Sequence, residues 1–357
     1  MRRLSLGRAR RDLQFIRDSG VPEVRLVDRT FNERPSHYRP LLRCLRDEFK
    51  TLRVHLEIDP ALVTDALVDE LAAAEPGRFH LEIGIQTLDP AVLQAIGRRG
   101  AAARSLAGLC RLCALRNLET HADLIAGLPR ASLAGLFDDL RALVRAGPDI
   151  IQIEPLKLLP GTRLAAERDR WGLVASPEPP YEILQTGAQT FEELETASRL
   201  SRAVDRFYNP PELHPVAAEA ARRLPRFWED LVAFAGDALA EPSAPSLENR
   251  FRTLDNFLAG RLDGLRHALH YAWLKHGFSA QHGLSAARPW KGPLPGNAVL
   301  VEGRPAAGGV RIFAADLDQR YAFVYARQRP AAAIYRLPPS EGSNLHRLLP
   351  KSLDGQA

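Results

Sequence analysis

The stretch that decides the fold begins Phe79-His80-Leu81-Glu82-Ile83-Gly84-Ile85-Gln86-Thr87 and ends Glu119-Thr120-His121-Ala122-Asp123-Leu124-Ile125-Ala126-Gly127-Leu128-Pro129. Apolar and polar residues alternate in the first run, which is typical of a strand with one buried and one polar face. The segment between the runs is predicted to be helical, and a strand–helix–strand unit pairs its strands in parallel with a right-handed crossover. Both patterns fit a sheet that curls into a barrel whose polar inner face lines a ligand chamber.

Three further strand-like runs flank this core, at residues 24–28, 52–59 and 150–155, so that five strand–helix units occupy roughly residues 10–175. An ordinary TIM barrel closes with eight strands and fills its interior with branched apolar side chains. The predicted fold class is therefore α/β, a partial TIM-like (β/α) barrel with a polar interior. The polar residues expected on its inner face are Glu57, Asp59, Glu82, Gln86, Asp123, Gln152 and Glu154. Burying unpaired carboxylates is costly, so these must be solvated, paired or bound to a ligand.

A proline-rich junction at Ser176–Pro180 separates this pattern from a different one. We predict a partial barrel over residues 1–175, a helical and β-meander domain over 176–340, and a loose tail over 341–357. Helices are predicted over 181–207, with an interruption near Gly187, and over 247–276, and short antiparallel strands near 297–301, 310–314 and 321–325.

The composition is that of a globular protein, with 45% hydrophobic and 25% charged residues among 357. The net charge is +5, carried almost entirely by arginine. This leaves nucleic acid open as a partner, although a GC-rich coding bias would give the same excess of arginine. Three cysteines are too few for a disulfide framework. We find no apolar run of about 18 residues and no signal-peptide core, so the expectation is a cytoplasmic protein without a membrane partner.

Four motifs occur in the order and spacing found in the radical S-adenosylmethionine (SAM) superfamily. They are Val27–Asn32 (VDRTFN), Glu57–Pro60 (EIDP), Glu82–Thr87 (EIGIQT) followed by Arg98, and Asp123–Pro129 (DLIAGLP). Over roughly residues 10–165 the chain resembles the coproporphyrinogen dehydrogenase and Elongator-type branches. VDRTFN and the C-terminal part look more like the branch with a cobalamin-binding domain and an uncharacterised C-terminal domain.

This resemblance implies SAM as a cofactor and assigns residues to its binding. Carboxylate and amide side chains at strand ends suit the hydroxyl and ammonium groups of SAM, and a guanidinium suits its carboxylate. Thr30 falls where the family has a Gly-Gly-Thr or Gly-Gly-Glu motif, although Asp28-Arg29 replaces the glycines here. The SAM-binding positions implied are Thr30, Glu57, Glu82, Gln86, Arg98 and Asp123, with Glu154 expected beside them. Structural pairing of Glu57 and Glu82 with histidine or arginine is the alternative.

The chain departs from the family at the iron–sulfur cluster. Radical SAM proteins hold a [4Fe–4S] cluster with a CxxxCxxC loop after the first strand, whereas the cysteines here are Cys44, Cys110 and Cys113. Cys110 and Cys113 have C-x-x-C spacing on a predicted helix and are expected to be buried small residues, so no metal ligands are predicted. Two expectations stay open: an N-terminally truncated enzyme that uses the cluster and possible cobalamin in its full-length form, or a relic without the cluster.

The function expected from the resemblance is that of a radical SAM-type enzyme, performing radical chemistry or cobalamin-dependent methyl transfer on a small or unknown substrate. A non-catalytic barrel that binds a nucleotide-like ligand or a protein partner is one alternative. A tRNA-modifying enzyme is the other, since the Elongator-like motifs and the arginine content both fit it.

Overall fold

The computed structural model describes residues 4–28, 30–98, 102–278, 284, 287–304, 310–326 and 330–338. The chain forms two compact units, the first comprising residues 1–210 and 217–242 and the second residues 211–216 and 243–357. The predicted division at residue 175 stays a prediction, and the predicted tail over 341–357 lies outside the described residues.

The helices follow from amphipathic sequence and well-placed caps. They are α1 (Leu6–Asp18), α2 (Pro35–Glu48), α3 (Asp65–Ala72), α4 (Pro90–Ala95), α5 (Ala102–Cys113), α6 (Leu133–Ala146), α7 (Arg163–Ala166), α8 (Phe191–Ala203), α9 (His214–Arg223), α10 (Phe227–Ala235), α11 (Leu247–Leu258) and α12 (Asp263–Lys275). Ser132, for example, caps α6 by accepting a hydrogen bond from Gly135 N. None of these described helices combines the length and hydrophobicity needed to cross a bilayer.

The five predicted strands form one parallel sheet in sequential order. They are β1 (Glu23–Arg25), β2 (Arg53–Ile58), β3 (Phe79–Gln86), β4 (Glu119–Ala126) and β5 (Ile150–Pro155). Helices connect successive strands, as parallel pairing requires. The fold is thus α/β, with the parallel sheet of a partial TIM-like barrel, and the prediction of its class is confirmed.

One face of this sheet is apolar and fully covered. Leu56 and Leu81 have no exposed surface, and neither do Leu109 of α5 and Leu140 of α6, which belong to helices in contact with β3 and β4. Burying a leucine side chain contributes about 1.5–3 kcal/mol, so this layer anchors the sheet. The other face carries the polar residues and is only partly covered.

Side chains of Asn209 and Ser201 form hydrogen bonds with the backbone groups at the unpaired edge of β5. The Asn209 amide donates to Ile151 O at 2.9 Å and accepts from Ile151 N at 3.0 Å. Ser201 Oγ of α8 donates to Ile153 O at 2.8 Å. An asparagine that mimics a neighbouring strand removes the need for further pairing at this edge, because unpaired strand groups are costly to bury.

Two predicted helices are wrong in part. Residues 183–185 form a strand, β7 (Ile183–Gln185), which pairs antiparallel with β6 (Val174–Ala175), and the helix begins only at Phe191. Thr190 fixes that start with a capping box to Glu193. The long helix predicted over 247–276 is two helices, α11 and α12, which end and begin at Leu258 and Asp263.

The second unit contains the small antiparallel sheet expected from the sequence. Its strands are β8 (Arg288–Pro289), β9 (Val299–Gly303), β10 (Arg311–Asp316), β11 (Arg320–Tyr325) and β12 (Ala333–Arg336). Their order is β8-β10-β11-β12-β9, so the three predicted strands are joined by two more.

Candidate functional site

The polar face of the parallel sheet consists of transverse rows of side chains. Strand burial alternates strictly, as in β3, where Phe79, Leu81, Ile83 and Ile85 are buried and the intervening residues are partly exposed. The parallel register sets the rows, which are His55–His80–Glu119, then Glu57–Glu82–His121, then Gly84–Asp123–Gln152, then Ile125–Glu154 towards the C-terminal end. We call this set the polar face.

Asp123 lies in the most strongly perturbed electrostatic environment of the polar face. Burial, followed by the charges of Glu82, Glu154 and Glu57, raises the pKa of Asp123 to about 7, and Arg98 opposes this shift. Its carboxyl group is therefore poised between its two protonation states near neutral pH. Perturbed carboxyl groups of this kind are frequent in functional sites.

Glu57 is the carboxylate available for a ligand. Burial first, and then the charge of Glu82, raises the pKa of Glu57. Among the residues that the structure describes, it has no hydrogen-bond or ion-pair partner. Glu82 differs, because its Oε2 lies 2.8 Å from His55 Nε2. The alternative of structural pairing thus applies to Glu82 and not to Glu57.

Arg98 reaches back over the end of β3. Its Nη2 donates to Gly84 O at 2.7 Å, and Nη1 lies 3.5 Å from Ile85 O. Burial lowers the pKa of Arg98, and the charges of Asp59 and Asp123 oppose that effect. A guanidinium has five N–H donors and does not deprotonate in proteins, so Arg98 is a fixed positive charge beside Asp123.

Gln86 ends β3 in a conformation that non-glycine residues rarely adopt. Its φ is 68°, and the register with β4 shifts between Gly84 and Gln86. A Cβ on Gly84 would lie 2.8 Å from Gln86 Nε2 and 3.7 Å from Arg98 Nη2, so the Gln86 amide lies over Gly84 beside the guanidinium. Left-handed conformations cost about 1–3 kcal/mol and concentrate in functional sites.

The structure thus brings Glu57, Glu82, Gln86, Arg98 and Asp123 to neighbouring positions. Thr30 precedes a short 3-10 turn at Phe31–Glu33 and lines a separate cavity of about 420 Å³ between α1, β1 and α2. Glu154, at the C-terminal end of the polar face, accepts a hydrogen bond from Gln152 Nε2 and lies 3.4 Å from Lys157 Nζ. Whether any of these residues contacts SAM stays a prediction.

Sequence reasoning missed a group of three histidines at the N-terminal half of the polar face. The rings of His55 and His80 stack with centroids 4.7 Å apart, and His121 meets His80 edge-on at 5.9 Å. His80 Nδ1 lies 3.3 Å from Glu119 Oε1, and His121 Nε2 lies 3.3 Å from Asp123 Oδ1. Alternation put these residues on one face, but only the register between strands could have shown that they meet.

Two motif residues prove to be structural. Asn32 of VDRTFN exchanges two hydrogen bonds of 2.9 Å with the backbone of Asp59, which fixes the segment after β1 against the end of β2. Thr87 of EIGIQT donates to Asp139 Oδ2 of α6 at 2.8 Å. Burial raises the pKa of Asp139, although the Thr87 hydrogen bond opposes this.

The cysteines do not fit a [4Fe–4S] cluster. Cys44 is buried in α2 and Cys113 is buried in α5. Cys110 is exposed on α5, so the prediction that both cysteines of the C-x-x-C pair are buried is wrong for Cys110. Burial raises the pKa of the Cys113 thiol to about 12, which opposes the thiolate form that ligates iron. Within the described ranges, no three His, Cys, Asp or Glu side chains are arranged to hold a metal ion.

A protein-family model and several curated proteins match parts of this chain. A family model described as a protein of unknown function (DUF4080) matches residues 169–282. A mitochondrial radical S-adenosyl methionine domain-containing protein 1 of Bos taurus is 30% identical over 141 residues, 39% of this chain and 31% of the relative. An oxygen-independent coproporphyrinogen III oxidase of Bradyrhizobium diazoefficiens is 26% identical over 208 residues, 57% of this chain and 45% of the relative.

Among solved structures, the radical S-adenosylmethionine methyltransferase TsrM of Kitasatospora setae has a TM-score of 0.43 and 17% identity, covering 50% of this chain and 36% of that one. A likeness at this level carries no argument about function. The matched segments span less than half the length of the two curated relatives. At the coarse level, the sequence similarities support a relationship with the radical SAM superfamily.

Proposed function

We propose that the polar face binds SAM and that this chain provides the SAM-binding region of a radical SAM-type enzyme. The observation that carries the proposal is the arrangement of Glu57, Gln86, Arg98 and Asp123 around the C-terminal ends of β2, β3 and β4. Ligands of parallel α/β folds bind at this end of the strands. The resemblance to the superfamily implies these same four residues.

The residues suit the polar groups of SAM. The open Glu57 carboxylate can accept hydrogen bonds from ribose hydroxyls or the methionine ammonium, and Asp123 can accept or donate one because its pKa is about 7. The strained Gln86 backbone holds an amide with both donor and acceptor groups at the same end. Arg98 supplies the positive charge for the methionine carboxylate.

SAM itself supplies the reactive sulfonium, from which a methyl or a 5′-deoxyadenosyl group is transferred. The protein residues named above bind and orient that ligand and set its protonation environment, which is the usual division of labour with such cofactors. Cluster and cobalamin use are implied only by resemblance, and the three cysteines do not provide the cluster ligands. The substrate and any nucleic-acid partner stay predictions.

The Asp123→Ala variant tests the proposal. Removing a hydrogen bond to a charged or ionisable group should weaken binding by about 1.5–3 kcal/mol, roughly tenfold to a hundredfold in Kd. Isothermal titration with SAM and S-adenosylhomocysteine measures this change directly. Circular dichroism should show unchanged helix content in the variant.

The matched control is Asp138→Ala, which removes a carboxylate that is 74% exposed on α6. Its affinity should equal that of the wild type. Equal affinity in the Asp123→Ala protein would remove Asp123 from the site, and an absence of SAM binding to the wild type would overturn the proposal.

A second candidate, a non-catalytic barrel that binds a nucleotide-like ligand, is favoured by the poor fit of the cysteines to a cluster. It predicts binding of S-adenosylhomocysteine or adenosine with no 5′-deoxyadenosine formed under reducing conditions. Formation of 5′-deoxyadenosine by the purified chain would exclude it.

A further inference from the structure

The N-terminal half of the polar face contains buried nitrogen atoms that the fold leaves without a partner. Among the described residues they are His55 Nδ1, His80 Nε2 and His121 Nε2, the last of which lies 3.3 Å from Asp123 Oδ1 without forming a hydrogen bond. The His55 side chain is only 6% exposed and the His80 side chain 13% exposed. A buried polar atom without a hydrogen bond destabilises the folded state, and a ligand that donates a hydrogen bond to it would remove that penalty.

The neighbouring carboxylates determine whether each of these nitrogen atoms donates or accepts a hydrogen bond. His55 Nε2 lies 2.8 Å from Glu82, and His80 Nδ1 lies 3.3 Å from Glu119. A carboxylate is only an acceptor, so in each neutral ring the proton resides on the nitrogen that faces the carboxylate. In this neutral form the other nitrogens, His55 Nδ1 and His80 Nε2, are acceptors that require a donor. Burial lowers the pKa of His80, which keeps that ring neutral.

The charged side chains around these nitrogen atoms also favour a cationic ligand. The carboxylates that share this face are Glu57, Glu82, Glu119, Asp123 and Glu154. The cations beside them are fewer: Arg53 is paired with Glu119, Lys157 lies 3.4 Å from Glu154, and Arg98 donates to Gly84 O. An anionic ligand would meet repulsion here, whereas a cation would be attracted.

We propose that His55, His80 and the adjacent carboxylates form a second subsite on the polar face, which binds a protonated amine of the substrate. An ammonium group brings three donors and one positive charge. It would therefore supply the donors that these acceptors lack and offset part of the negative charge. The subsite lies towards the N-terminal ends of β2 and β3, two residues along each strand from the row of Glu57 and Glu82.

Only one part of this inference rests on the proposed SAM site, namely that the molecule carrying the amine is the co-substrate of SAM. The subsite itself is argued from the histidines and carboxylates. Substrates that present only carboxylates or phosphates to this subsite are excluded by the proposal.

Three probes of one scaffold test the polarity of the subsite in the intact chain: benzylamine, benzyl alcohol and benzoate. Ligand-observed saturation-transfer NMR should rank their affinities in that order, with benzylamine at least tenfold tighter than benzoate. Equal affinities, or tighter binding of benzoate, would overturn the proposal. Benzylamine that binds no better than benzyl alcohol would do the same, because the nitrogens would then hold only a neutral donor such as water.

Two variants locate the binding. His80→Phe preserves the stacked ring and removes the acceptor, and should weaken benzylamine roughly tenfold. Glu119→Gln, which removes one negative charge at a partly exposed position, is the second variant in case His80→Phe does not fold. It should weaken benzylamine binding severalfold. The control His267→Phe, on α12 of the second unit, should leave affinity unchanged. Unchanged affinity in both folded variants would place the amine elsewhere and refute the subsite.

The same samples separate the two proposals. Binding of S-adenosylhomocysteine should persist in His80→Phe, and benzylamine should bind whether or not S-adenosylhomocysteine is present. Amine binding without nucleoside binding would leave the subsite standing and remove the SAM site. Nucleoside binding without a preference for the amine would do the reverse.

Discussion

At the scale of single residues, Asp123 shows how a parallel sheet can hold a carboxyl group near neutrality. Three neighbouring carboxylates and burial act against a single guanidinium. The same balance links ligand binding to pH, because a protonated Asp123 can donate to an acceptor and an ionised one can pair with a cation. Glu70 of α3 is a contrasting case, because Arg43 and Arg46 of α2 form hydrogen bonds with its carboxylate and lower its pKa.

The Asp123→Asn variant should reveal this balance in the stability of the protein. The folded state holds the proton of Asp123 up to a pKa of about 7, whereas the unfolded chain releases it near 3.8. The folded state therefore binds more protons in this interval, and its stability falls as pH rises from about 4 to about 7, by on the order of a few kcal/mol at most.

Asparagine lacks this proton, so the variant should lose less stability over that interval and exceed the wild type in melting temperature at pH 8. Thermal unfolding monitored by circular dichroism at pH 5 and pH 8 measures the difference. Parallel pH profiles for the two proteins would contradict the raised pKa of Asp123.

At the scale of elements, α5 contacts the turn after β2 so closely that one position accepts only glycine. A Cβ on Gly108 would lie 2.0 Å from Pro60 O and 2.8 Å from Pro60 C, both backbone atoms. Helix propensity alone predicts that Gly108→Ala stabilises by up to about 1 kcal/mol. Overpacking of this kind costs about 1–3 kcal/mol, and the contact with an immobile carbonyl decides the sign.

We therefore expect Gly108→Ala to lower the free energy of unfolding by about 1–2 kcal/mol. Urea denaturation followed by circular dichroism measures it. Gly7→Ala in α1 is the matched control, because nothing lies within 4 Å of the added Cβ, and its stability should be unchanged or slightly higher. A more stable Gly108→Ala protein would show that α5 can move away from Pro60.

The elements also show what sequence could and could not predict. Strict alternation identified β3 and assigned its polar face, because the pattern has the two-residue period of the strand itself. The stacking of His55 on His80 could not be predicted in this way, since it depends on the register between β2 and β3. The strand Ile183–Gln185 was missed for a similar reason: its partner Val174–Ala175 is too short to carry a pattern.

At the scale of the whole molecule, net charge and local charge have opposite signs. The chain carries a net charge of +5, yet its polar face is rich in carboxylates. The arginine excess must therefore reside outside the polar face, and we expect any nucleic-acid partner to contact other surfaces. Raising the salt concentration would weaken such a contact steeply and would affect the buried polar face much less.

The distribution of cysteines across the molecule leads to a last prediction. Cys44 belongs to α2 and is buried, and Cys110 and Cys113 belong to α5, with the second buried against Thr120. Anaerobic reconstitution of the purified chain with iron and sulfide should leave no stable [4Fe–4S] absorption. Replacing all three cysteines by serine should not change the result. A stoichiometric cluster that the triple variant loses would falsify our conclusion that these thiols do not ligate a cluster, and it would require α2 and α5 to rearrange so that Cys44 and Cys113 reach a common iron site.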